Sequence, residues 1–182
     1  MIRELEFQLL CQRHRDDLFR YARSLLGNTA DAEDATQEVL VRLWNHLPTL
    51  RLLNLRAWLF RTTRNHCLDL LRKRTPTVAV TDDDANDDHE SPDDRADESA
   101  IDPSLAADAT TRLQQAHDAL RALPESLRSV FVLYEVNGLR YREIADTLDL
   151  PINTVKVRLL RARQQLTKLI PKKEPWMTLS KD

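Results

Sequence analysis

Residues 139–163 read LRYREIADTLDLPINTVKVRLLRAR. They parse as a short helix, a tight break and a second, basic helix. Gly138 supplies the loop in front. Asp149 to Pro151 form the break, because proline lacks an N–H and its ring clashes with the preceding turn. Asn153 or Thr154 is expected to cap the second helix. This layout is a helix-turn-helix, whose second helix enters the major groove of DNA.

Geometry tests the second helix. At about 100° per residue, Val155, Leu159, Ala162, Leu166 and Leu169 fall within roughly 80° of one another and form a core stripe. Opposite lie Asn153, Lys156, Val157, Leu160, Arg161 and Gln164. Val157 and Leu160 thus point away from the core among basic and amide groups. On a groove face they would meet thymine methyls while their polar neighbours reach base edges and phosphates. The plainer reading is a solvated basic helix in a bundle, so the rest of the chain must decide.

The chain has 182 residues and only two glycines, with few aromatics and no alternating apolar runs, so an all-α fold is expected. Charged residues make up 31% of it, yet the formal net charge is −2. That balance hides segregation. Residues 1–75 carry thirteen basic side chains against nine acidic, 76–111 one against twelve, and 112–182 thirteen against eight. Two basic lobes joined by an acidic strap are expected, the strap being too polar to fold alone. The boundaries are a first domain over 1–75, a linker over 76–111, a second domain over 112–170 and a tail over 171–182. With no signal peptide and no apolar run of membrane-spanning length, a cytoplasmic chain with no membrane insertion is expected. Cys11 and Cys67 stand alone, without metal-ligand spacing, and should be buried reduced thiols. No cofactor is expected. Nor is catalysis, for want of a nucleophile–base pair, a metal cluster or a phosphate-cradling glycine loop.

Along the chain, residues 4–26 show a helical pattern through Leu5, Leu9, Leu18, Ala22, Leu25 and Leu26, one that allows a break near His14 to Asp16. Gly27 stops it, and Asn28 to Asp31 offer caps. A second helix over 31–47 puts Ala32, Val39, Leu40, Leu43, Trp44 and Leu47 on one side. Its other side carries Asp34, Gln37, Glu38, Val41 and Asn45, which reads equally as a solvated face or as a docking face for a basic partner. A third helix runs from about Leu55 to Arg74. Its buried arc holds Leu55, Leu59, Phe60, Thr63, Cys67, Leu70 and Leu71, and its basic arc Arg61, Arg64, Asn65, Leu68 and Arg72. Trp58 borders the basic arc, where it could stack on unpaired bases or pack half-buried against a neighbour. Helix resumes near Leu105, and Pro124 opens a further helix at its first turn. Trp176 is a lone aromatic in a polar tail.

Several motifs converge on one family. Asp31-Ala32-Glu33-Asp34-Ala35-Thr36-Gln37-Glu38-Val39 with Leu43-Trp44, then Arg56-Ala57-Trp58-Leu59-Phe60-Arg61 with Asn65 and Asp69, resembles region 2 of bacterial sigma factors. Leu123-Pro124 to Leu133 and Gly138 to Leu166 resemble region 4. A chain with only these two regions is similar to the extracytoplasmic-function (ECF) sigma factors, and the resemblance spans nearly everything but the strap and tail. It implies a promoter-recognition subunit without catalytic residues. Asp34, Gln37, Glu38 and Val41 would dock on the β′ clamp helices of core RNA polymerase, with region 4 meeting the β flap. The −10 set would be Leu50, Asn54, Trp58, Phe60, Arg61, Arg64, Asn65 and Arg72. Asn65 and Phe60 would line a pocket for one flipped base, and the three arginines would hold the strand backbone. The −35 set would be Asn153, Thr154, Lys156, Val157, Arg158, Leu160, Arg161 and Arg163, with Arg158 and Arg163 on phosphates. The acidic strap would thread the polymerase cleft. An anti-sigma factor would hold the chain in check. The chain departs from the family at Val157, often Ser, and at Asp149-Leu150, commonly Gly-Val. Outside the resemblance, a self-contained helix-turn-helix repressor or activator would need symmetric half-sites. A polymerase adaptor that ignores DNA leaves two basic faces without a purpose.

Overall fold

The structure is a computed structural model that describes residues 2–49, 54–74 and 105–169. Among these residues it is all helical: α1 (Ile2–Leu26), α2 (Thr29–His46), α3 (Leu55–Arg74), α4 (Leu105–Arg121), α5 (Glu125–Phe131), a π-helical turn (Val132–Val136), α6 (Tyr141–Leu148) and α7 (Ile152–Leu169). None of these helices is long and apolar enough to cross a membrane. Leu50, most of the acidic strap and the Trp176 tail lie outside the described residues.

The first three helices form an N-terminal lobe. α1 runs without the break allowed near His14, because the side facing the lobe stays apolar through Phe7, Leu10, Leu18, Tyr21 and Leu25. His14 is buried on that side, and burial lowers its pKa, favouring the neutral ring. Leu5 and Leu9, counted in the pattern, are instead exposed. Gly27 (φ +84°) closes α1 with its N–H on the Arg23 carbonyl at 2.9 Å. Asn28 then caps α2, its Oδ1 accepting from the Asp31 N–H at 2.8 Å. α3 packs on both, burying Leu55, Leu59, Phe60, Thr63 and Cys67 as its periodicity requires. Leu68, assigned to the opposite arc, is buried too. Both cysteines are free, and burial pushes the Cys67 thiol up to about 12, far from a reactive thiolate.

The C-terminal lobe begins at Leu105, seven residues inside the segment assigned to the linker. Pro124 serves as the cap before α5, not as its first residue, which suits a residue whose missing N–H needs no acceptor. The π turn then widens the helix so that Asn137 N–H reaches the Val132 carbonyl at 3.0 Å. Two clusters hold this lobe. Ala119, Leu123, Leu127, Ala162 and Leu166 make the outer one. Val130, Leu133, Leu139, Ile144, Val155 and Leu159 belong to the same cluster as the N-terminal core. The lobes therefore share apolar packing, with α3 against α6 and α1 against α5 and the π turn.

The helix-turn-helix is α6 and α7. Glu143 folds back so that its carboxylate accepts the Arg140 N–H at 2.7 Å, half of a capping box. Asp149 closes α6 in the left-handed region (φ 56°), and Leu150 N–H reaches the Ala145 carbonyl at 3.0 Å. α7 starts at Ile152, so Asn153 and Thr154 sit in its first turn and are not the cap. Val155, Leu159, Ala162 and Leu166 are buried as expected, but Leu169 is exposed because the helix has run past the lobe. At Asp149 a short polar side chain tolerates the left-handed turn and a β-branched one does not. Asp149→Val is expected to cost about 1–2 kcal/mol in urea unfolding, with Asp149→Gly close to neutral. Equal stability of Val and Gly here would contradict the assigned turn.

Candidate functional site

Three surfaces gather the residues singled out above. The first is the outer face of α7. Lys156, Val157, Leu160 and Arg161 are all exposed, with Val157 at 47% and Leu160 at 56%. Asn153 is exposed beside them, while Thr154 and Arg158 are half-buried. Arg163 is not presented with this set. Its guanidinium donates to Glu135 at 2.6 and 3.0 Å and lies 5.5 Å over the Tyr134 ring, which stacks on Tyr141 at 5.0 Å. It braces α7 against the π turn, a role that its place in a basic helix concealed.

The second surface is the outer face of α2. Asp34, Gln37 and Val41 are exposed, Val41 at 54%. Glu38 accepts from Arg42 at 2.9 Å, an i,i+4 pair that neutralises part of its charge. Asp34 makes no ion pair with a described residue, so it dominates the negative character of this face.

The third surface is the basic arc of α3. Asn54, Asn65 and Arg72 are exposed, Arg72 pairing with Asp69 at 3.3 Å. Trp58 is half-buried with its ring 5.7 Å from that of His46, at the edge of the arc. Phe60 is 1% exposed and meets the Tyr21 ring edge-on at 5.6 Å. The expectation that it walls a base pocket fails on that burial; its place in the apolar arc had already pointed inward. Arg61 is exposed but tied to α6, and Arg64 is half-buried and paired. Arg61 Nε donates to the Thr147 carbonyl at 3.2 Å, and a second N–H of the same side chain donates to the Asp146 carbonyl. Arg64 holds Glu125 through Nε and Nη2, which donate to its two carboxylate oxygens at 2.8 and 2.9 Å. Between the lobes a cleft of about 590 Å³ is lined by Asn54, Ala57, Trp58, Arg61, Asp146 and Pro151 among others.

Residues that periodicity passed over complete this seam. Glu125 also accepts from Ser129 Oγ at 2.6 Å, and Ser129 accepts from the buried Tyr21 hydroxyl at 3.0 Å. Burial is the main cause that raises the Tyr21 pKa, so the phenol stays a donor. Arg56 donates to the Asn137 carbonyl, while Asn137 Nδ2 donates to the Asp17 carbonyl at 3.0 Å. Arg128 donates to the carbonyls of Ser24, Arg121 and Leu123 at 3.3, 2.8 and 2.8 Å. Those of these contacts that cross from one lobe to the other, with the Arg64–Glu125 pair, join residues 61 to 120 positions apart, which no local pattern encodes.

Comparison with known proteins matches the same two stretches. Residues 10–77 match the model of Sigma-70 region 2, and residues 113–166 that of Sigma-70, region 4. The chain is 33% identical to the ECF RNA polymerase sigma factor SigL of Mycobacterium tuberculosis, over 82% of this chain and 80% of that one. It is 34% identical to the ECF RNA polymerase sigma factor SigE of Mycolicibacterium smegmatis, over 90% of this chain but only 61% of that longer protein. In structure it is similar to the sigma factor RpoE of Bartonella quintana, solved with the anti-sigma factor NepR. The TM-score is 0.69 at 27% identity, covering 93% of this chain and 99% of that one.

Proposed function

Because the chain belongs to the ECF sigma factors of the sigma-70 family, we propose that it is a promoter-specificity subunit of RNA polymerase, acting in the cytoplasm and controlled by an anti-sigma factor. The observation that carries this reading is the outer face of α7. Val157 and Leu160 are apolar and exposed between Lys156 and Arg161, a combination that water does not reward and a major groove does. The acidic face of α2 offers Asp34, Gln37, Glu38 and Val41 to the basic clamp helices of the polymerase. Asn54, Trp58, Arg61, Arg64, Asn65 and Arg72 form the −10 surface. One base of the opened strand would leave the stack there at a cost of a few kcal/mol, offset by stacking and hydrogen bonds. The −35 surface holds duplex, so the two lobes read one promoter at two points. The solved likeness to a sigma factor bound by an anti-sigma factor supports the same control here.

Run-off transcription with core polymerase on a promoter library tests this reading and returns both recognition elements. Transcripts should require both core enzyme and this chain. Arg161→Ala should then lower use of promoters by about 1–3 kcal/mol at one −35 position. Promoter-independent transcription, or a uniform loss across all −35 sequences, would contradict it.

A further inference from the structure

Arg163 stands two turns beyond Lys156 on α7, rotated from it by only about 20°, on the border between the buried stripe and the groove face. A guanidinium there is close enough to the groove face to be read as a phosphate contact. Instead its Nε and Nη2 both donate to one carboxylate oxygen of Glu135, at 3.0 and 2.6 Å, and it lies 5.5 Å over the Tyr134 ring. Tyr134 stacks in turn on Tyr141, 5.0 Å away and within 10° of parallel. Tyr141 is the first residue of α6. One arginine of the second helix is thus tied to the π turn and, through two rings, to the first helix of the motif. The π turn makes this possible. Consecutive side chains of an α-helix diverge by about 100°. The wider turn over Val132–Val136 advances less per residue and brings Tyr134 and Glu135 to the same guanidinium.

Stability does not account for this arrangement. The Arg163 and Glu135 side chains are 38% and 35% exposed, and a pair so open to water adds little to folding. Ile144, Val155 and Leu159 already hold α6 and α7 in the core. Apolar burial is non-directional, so it fixes how close the helices lie better than how they are turned. A charge-assisted hydrogen bond and a ring stack are directional. Charge does not account for it either, because a carboxylate at the edge of a DNA-binding face repels phosphates. Resting on the promoter-subunit reading above, we infer that Arg163 is a positioning residue for −35 recognition. Held by Glu135 and Tyr134, it sets the angle at which α7 offers Lys156, Val157, Leu160 and Arg161 to the major groove, and it makes no phosphate contact of its own. Charge and positioning then predict opposite signs at Glu135. Removing its charge tightens promoter binding if charge governs, and weakens sequence-specific binding if the brace governs. They also part at Arg163. Lysine keeps the charge that a phosphate needs but loses the planar fork and the ring contact that the brace needs.

The test uses the full chain assembled with core polymerase, as wild type, Glu135→Gln, Arg163→Lys and the double variant. The probes are a promoter selected by run-off transcription and the same promoter with single −35 base changes. Binding is measured over a series of salt concentrations, and circular dichroism checks that each variant is folded. Each single variant should lose about five- to tenfold in discrimination between the selected and altered −35 elements. The slope of log affinity against log salt should stay at its wild-type value, since no phosphate contact is lost. The double variant should lose no more than either single one, because both break the same brace. Wild-type discrimination in Arg163→Lys, or a gain in promoter affinity in Glu135→Gln, would overturn the positioning role. So would losses that add in the double variant. Arg163→Ala closes the remaining route: a uniform loss across −35 sequences, with a salt slope smaller by about one, would make Arg163 a phosphate contact. The two conclusions fail separately. Core-dependent wild-type transcription with no change in the variants removes the brace alone. No wild-type transcription removes the promoter-subunit reading, and the purpose of the brace with it.

Discussion

Phe60→Ala is expected to unfold the N-terminal lobe before it changes any base preference. The ring is 1% exposed and packs edge-on against Tyr21 at 5.6 Å and 74°. Its cluster includes Leu18, Val39, Leu43 and Leu59 from three helices. Truncating a phenylalanine in such a site costs about 3–5 kcal/mol, from lost transfer energy and the cavity left behind. The aromatic pair adds roughly 0.5–1.5 kcal/mol of geometric preference to what is lost. Set against a total stability of about 5–15 kcal/mol, this is at least about a fifth of what holds a small protein folded, and most of it at the lower end of that range. Urea unfolding should show the loss, and Phe60→Leu should recover most of it. Any folded fraction should keep its −10 preference. A loss under about 1 kcal/mol together with an altered −10 preference would return Phe60 to the wall of a base pocket.

The helices were legible because their signals are local. α3 starts at Leu55 and ends at Arg74, between an asparagine and a Thr-Pro pair, as its pattern predicts. The stripe Val155, Leu159, Ala162 and Leu166 needed only the 3.6-residue period. α1 escaped in part because a histidine can fill a core position once burial holds it neutral, and a polarity count scores it as a breaker. The cap of α7 escaped because the turn is closed by Asp149 in the left-handed region, which shifts the helix start to Ile152.

Residues of the candidate site were less legible, for a different reason. A helical wheel sorts side chains into inward and outward, but it assumes a single packing partner. α3 has α1 and α2 on one side and α6 on another. Its basic arc is therefore outward for one lobe and inward for the pair of lobes. Arg61 and Arg64 carry no mark in sequence that distinguishes a strand-facing guanidinium from one held by Glu125. The same ambiguity hid Arg163, whose partner Glu135 lies 28 residues away on the π turn.

Reversing charge at Asp34 and Glu38 together is expected to weaken binding to core polymerase by about 2–4 kcal/mol, roughly 30- to 1,000-fold, because attraction becomes like-charge repulsion. The fold should tolerate it. α2 buries Ala32, Ala35, Thr36, Val39 and Leu43, none of which is touched. Glu38→Arg loses only the exposed i,i+4 pair with Arg42, worth about 0.3–0.5 kcal/mol. Asp34→Arg should carry the larger share, since Glu38 is already part-neutralised by Arg42 at 2.9 Å. Glu33→Arg is the internal control: at about 100° per residue it lies off the arc shared by Asp34, Gln37, Glu38 and Val41. It changes net charge equally, so a general electrostatic effect would show there too. Competition against labelled wild-type chain for core polymerase, at two salt concentrations, reads the difference. The defect of the double reversal should shrink as salt rises, as screening demands. Equal loss in Glu33→Arg would reduce the face to bulk charge. Full affinity in the double variant would move the docking surface off α2 altogether.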